Sequence, residues 1–166
     1  MKIKKVSVLI FLFLAIVAPA GRICAQEEFP PPVGYVNDFG NFLSLEERKR
    51  TEKELKNFRA NNDVRIIVIT VSSLNGKSPK EYLEGYVRKW GIRARQDIIF
   101  LFARQGRKKG EAVIITGSGI RQIFDDRDFL NIVRKYIVPY IEEDKANNAI
   151  INGVRGIMAY LDKQSA

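Results

Sequence analysis

Val64-Arg65-Ile66-Ile67-Val68-Ile69-Thr70-Val71 is an almost continuously apolar, β-branched run. A strand of that kind suits the middle of a sheet that is covered on both faces. The flanks agree. Downstream, Ser78-Pro79-Lys80-Glu81 joins a cap, a first-turn proline and a capping box, and Tyr82, Leu83, Tyr86, Val87 and Trp90 then recur at helical spacing. Upstream, Ser44 and Glu47 form another capping box before a charged helix with Leu45, Leu55 and Phe58 near one face, ending at Asn61-Asn62.

Two further strands are expected at 97–103 and 111–116, on either side of the cationic tip Arg104-Gln105-Gly106-Arg107-Lys108-Lys109-Gly110. They read as an antiparallel pair joined by a long hairpin loop. Asp125-Asp126 can cap a third helix striped by Phe129, Ile132, Val133, Tyr136, Ile137 and Tyr140, which Pro139 should bend or end. A last helix carries Ile150, Val154, Ile157, Met158 and Leu161. The order α-β-α-β-β-α-α implies an α/β three-layer sandwich, with a small mixed sheet of about four strands and helices on both faces. Residues 33–164 read as one domain behind a Pro-rich tether at 26–32.

The start of the chain reads as a secretory signal. Lys2, Lys4 and Lys5 precede an apolar run from Val6 to Val17, and small residues allow a cut after Ala20 or, preferably, after Ala25. An uncleaved signal would leave an N-terminal membrane anchor instead. The expected location is therefore the periplasm or the extracellular space. Removing Lys2, Lys4, Lys5 and Arg22 lowers the formal charge from +9 to +5, with 24 basic against 19 acidic residues. That surface favours anionic membranes or cell-wall polymers over nucleic acid.

The chain has no histidine, and with the later cut its single cysteine, Cys24, leaves with the signal. The mature part therefore excludes a Ser-His-Asp triad, a Cys-His pair, a His or Cys zinc site and a disulfide framework. Any chemistry falls to carboxylates, Lys, Arg, Tyr, Ser or Thr, or to a hard cation held by oxygens. The candidate ligands for Ca²⁺ or Mg²⁺ are Asp38, Asp97, Asp125 and Asp126. Each has a structural alternative: an Asx-turn for Asp38, a local ion pair with the neighbouring arginines for Asp97, and helix capping for the other two. The candidate anion-binding cations are Arg93, Arg95, Arg104, Arg107, Lys108, Lys109 and Arg121. Gly117-Ser118-Gly119 lacks the third glycine and the lysine of a nucleotide loop and reads as a tight turn.

From Val33 to about Leu161 the chain resembles the TPM domain family. The resemblance rests on Val36-Asn37-Asp38-Phe39, the helix start at Leu43 to Arg48, Val68-Ile69-Thr70-Val71, Tyr82 to Trp90-Gly91-Ile92, and Asp97 before an apolar strand. Gly117-x-Gly119-Ile120, Phe124-x-Asp126 and Ile137-Val138-Pro139 complete it. It implies an α/β sandwich outside the cytoplasm that maintains or modulates membrane complexes, with calcium binding and acid phosphatase activity in some members. The matching acids are Asp38, Asp97 and Asp126. The chain departs from the family pattern at Asp97-Ile98-Ile99, at Gly117-Ser118-Gly119-Ile120-Arg121 and at Asp144-Lys145-Ala146, and two of these changes put a cation where the pattern has an acid. The expected role is a monomeric, non-enzymatic accessory module for an envelope or membrane complex. A divalent-metal-dependent phosphatase is the alternative.

Overall fold

The structure is a computed structural model that describes residues 29–92, 95–104 and 110–164. The expected signal at 1–25 lies outside these residues. Strands β1 (Val36–Asp38), β2 (Arg65–Val71), β3 (Asp97–Arg104) and β4 (Gly110–Thr116) form one sheet in spatial order β1-β2-β3-β4. The first three run parallel, and β4 returns antiparallel on β3.

Period-two alternation divides the apolar run between two cores. Ile66 and Val68 join Ile98, Phe100 and Phe102 on one face, under α1 (Leu45–Asn61) and α5 (Ala146–Gln164). Ile67, Ile69 and Val71 join Ile99 and Leu101 on the other, under α2 (Pro79–Trp90). The three-layer sandwich expected from the sequence is what forms. The sheet advances in one direction while α1 and α2 cover opposite faces, so one of the two parallel crossovers is left-handed, against the usual rule.

Both capping boxes close as read, with Ser44 accepting from the Glu47 amide and Ser78 from the Glu81 amide. Helix α2 ends on Gly91 at φ +63°, a left-handed cap open to glycine at little cost. Leu45 departs from its expected inward face and is 56% exposed. Asp125 caps α3 (Asp126–Ile132), and Val133–Ile137 widens into a π-helical turn before α4 (Val138–Glu142). Pro139 explains the widening. It brings no amide and crowds the preceding turn, so the Val138 amide reaches back five residues to the Val133 carbonyl.

Strand β1 is absent from the sequence-based order. It is three residues long, and two of the three, Asn37 and Asp38, are polar and do not carry a strand's usual signature. Ahead of it, Phe29 packs against Tyr82 and Tyr86 of α2, and the Trp90 indole N–H donates to the Pro30 carbonyl at 2.8 Å. At least the last part of the stretch read as a tether therefore rests against the domain.

Candidate functional site

The parallel strands define two ends of the sheet, and the candidate acids divide between them. Asp38 closes β1 level with Thr70, whereas Asp97 opens β3 level with Arg65. Those levels are five residues apart along β2, or about 16 Å at the rise of a strand. One cation with oxygen ligands at about 2.3–2.6 Å cannot bridge that span.

Each acid also has local partners. Asp38 is 5% exposed and accepts the amides of Phe42 at 3.1 Å and Leu43 at 3.0 Å, together with the Thr70 hydroxyl. Thr70 in turn accepts the Gly40 amide at 3.2 Å, and Asn37 donates to the Gly34 and Val68 carbonyls. Asn37-Asp38-Phe39-Gly40 is thus a hydrogen-bonded lock between β1 and β2, an extended form of the Asx-turn alternative.

Asp97 is 4% exposed and accepts two bonds from Arg65, Nε at 2.9 Å and Nη2 at 2.5 Å. This bond to Asp97 raises the Arg65 guanidinium above its ordinary pKa, with desolvation acting against it. The ion-pair alternative holds in kind, with a different arginine from the one expected. This partner comes from the adjacent strand β2.

Asp125 accepts the amides of Arg127 at 2.8 Å and Asp128 at 3.0 Å, while the Asp128 carboxylate takes the Asp125 amide at 3.0 Å. These bonds, that from the Asp128 amide foremost, hold the Asp125 carboxyl below the usual range. The neighbouring Asp128 carboxylate pushes the pKa of the Tyr160 phenol up. Asp126, one residue on, is exposed. Among the described residues no group of three acids converges as a metal centre would require. The residues do not fit a shared Ca²⁺ or Mg²⁺ site.

The cations divide as well. Arg104 forms an ion pair with Asp144 at the hairpin end. Arg95 and Arg121 are exposed at the Asp97 end, where the Gly119 amide bonds the Arg95 carbonyl at 3.0 Å and Arg121 Nη2 reaches the Thr116 carbonyl at 3.4 Å. Arg93, Arg107, Lys108 and Lys109 lie outside the described residues.

A feature the sequence reading missed runs along β4. A cleft of about 780 Å³ follows the strand from Ala112 to Thr116, walled by Lys80, Glu84 and Val87 of α2 and by Asp126 and Phe129 of α3. A second cleft of about 640 Å³ lies at the Arg65 end, between Tyr35, Glu52 and Trp90. No described helix is long and apolar enough to cross a membrane.

A four-stranded mixed sheet between helical layers, with its buried acids bonded into the fold, defines a compact α/β sandwich domain. The model described as the TPM domain matches residues 36–160, and the chain belongs to that family. Solved structures share the fold. The N-terminal domain of a P. gingivalis protein has 18% identity and a TM-score of 0.71, covering 78% of this chain and 83% of that one. The BA42 protein of the psychrophile Bizionia argentinensis has 18% identity and a TM-score of 0.60, covering 74% and 83%. The N-terminal domain of the cg2496 protein from Corynebacterium glutamicum has 14% identity and a TM-score of 0.58, covering 80% and 87%. No curated protein matches the chain.

Proposed function

We propose that this TPM domain is exported and serves as a non-catalytic interaction module for an envelope or membrane complex, with an anionic membrane or cell-wall surface as a second contact. The observation that carries the reading is the state of Asp38 and Asp97. Both are buried, each is bonded within its own network, and the two stand at opposite ends of the sheet. A metal-dependent phosphatase would need such acids to converge on one cation and one phosphoryl group. The exposed Arg95 and Arg121 supply the anion-facing surface on this reading.

Two assays test it together. Hydrolysis of p-nitrophenyl phosphate by the chain, with CaCl₂ or MgCl₂, is expected to equal the buffer control and to be indifferent to EDTA. Adsorption to phosphatidylglycerol vesicles is expected to fall as salt rises and to weaken in Arg95→Glu/Arg121→Glu. Chelator-sensitive turnover would overturn the non-catalytic assignment. Adsorption unchanged by salt or by charge reversal would remove the anionic contact.

A further inference from the structure

The two edges of the sheet are finished differently. At β1 the outward amide of Val36 donates to Glu52 Oε2 of α1 at 2.8 Å, and the Asp38 carbonyl accepts the Asn41 amide at 3.4 Å. That edge is only three residues long and closed by its own chain. Edges are commonly blunted in such ways, because unpaired strand groups recruit other chains.

Among the described residues strand β4 has no comparable closure. The Gly117 amide bonds the Asp97 carbonyl at 2.7 Å, which fixes the alternation of the β3-β4 ladder. By that register Glu111, Val113 and Ile115 face β3 with their backbone groups. Ala112, Ile114 and Thr116 turn theirs outward, and among the described residues β4 pairs with no strand except β3. Among the described residues, the hydrogen bond found on these outward groups is the 3.4 Å approach of the exposed Arg121 to the Thr116 carbonyl. The outward row opens into the 780 Å³ cleft between α2 and α3.

We infer that the β4 edge accepts an extended segment of a partner protein as a fifth strand. The inference rests on the interaction-module reading and gives it a partner chemistry. Backbone groups at Ala112, Ile114 and Thr116 supply register-specific bonds, and alternate side chains of the incoming segment meet the two walls. One wall offers Val87 with the half-buried Val113 and Ile115; the other offers Phe129. Apolar residues at alternate positions satisfy both. Asp126 is exposed at the rim and has no hydrogen bond or ion pair among the described residues, so a lysine or arginine near that end of the segment completes the match. The recess selects a lone strand over a second copy of this chain, because two edges each set back between their own helices cannot approach to strand spacing.

Panning a random heptapeptide library on the full chain tests this. Recovered peptides are expected to alternate apolar residues and carry a cation. Binding should fall at least tenfold in Ala112→Pro, which removes one outward amide and leaves the β3 ladder intact, and by a smaller factor in Asp126→Asn. A recovered peptide N-methylated at alternate residues should lose binding to the unaltered chain, a readout that does not depend on the folding of Ala112→Pro. Failure to enrich any peptide, or peptides indifferent to both the proline and the N-methyl groups, would overturn the inference. Sedimentation that shows a dimer dissolved by Ala112→Pro would replace the partner segment with a second copy and overturn it too. Vesicle adsorption that persists in Ala112→Pro separates this failure from failure of the module reading.

Discussion

Replacing Asp38 with alanine removes one acceptor that serves three donors. Of these, the Leu43 amide sits on a residue 7% exposed and the Thr70 hydroxyl on one fully buried, so water replaces neither bond readily. The Phe42 amide belongs to a half-buried residue and is open to partial rescue by solvent. Two orphaned donors at about 1–3 kcal/mol each give a loss of about 3–4 kcal/mol. In a domain of this size that corresponds to a fall of about 10 °C in melting temperature. Asp38→Asn keeps one oxygen but turns an NH₂ group toward the remaining donors, and should lose about half as much. The assay is thermal unfolding by circular dichroism at 222 nm, at neutral pH in EDTA. If both variants melt within about 2 °C of the parent, the carboxylate does not hold the loop. If CaCl₂ also raises the parent's midpoint and not theirs, Asp38 is a metal ligand and the hydrogen-bond account is wrong.

Arg65→Met leaves the Asp97 carboxylate buried without its bidentate partner. The arginine side chain is 40% exposed, so solvent softens the penalty to about 2 kcal/mol, and Arg65→Met/Asp97→Asn should recover part of it in urea titrations. Thr51 is 1% exposed with no partner for its hydroxyl among the described residues; Thr51→Val is expected to raise stability by up to about 1 kcal/mol in the same titration. The Ser44 amide, and then the Asn147 side chain, hold Glu47 below its ordinary pKa. A depressed carboxyl stabilises the fold above its unfolded pKa of about 4.3, and the contribution is lost as pH falls through the folded value. Glu47→Gln should therefore flatten the acid limb of a plot of melting temperature against pH.

The elements most legible in the sequence are those whose signal is local. The Ser44 and Ser78 capping boxes each lie within four consecutive residues, and the run at 65–71 needs no partner to declare itself doubly covered. What the sequence hid depends on register. Strand β1 is strand-like only because Val36, Asn37 and Asp38 align with Val68, Ile69 and Thr70. Asp97 meets Arg65, 32 residues away, because β2 and β3 start level, and no spacing along the chain records that. The β4 cleft is less legible still, since it consists of backbone groups left over after pairing. Of the candidate acids, Asp38, Asp97 and Asp125 are each hydrogen-bonded within the fold.

Trp90 is the chain's single tryptophan, and its indole N–H is bonded to the Pro30 carbonyl while its ring meets Tyr86 and Phe39. The protein thereby carries its own optical gauge of the seating of residues 29–30. Detachment would wet the indole and shift its emission to the red with both cores intact. A fluorescence transition that precedes the ellipticity transition would then measure a local event worth a fraction of the global stability. The same signal would follow, in real time, a protease that trims the chain just ahead of the domain.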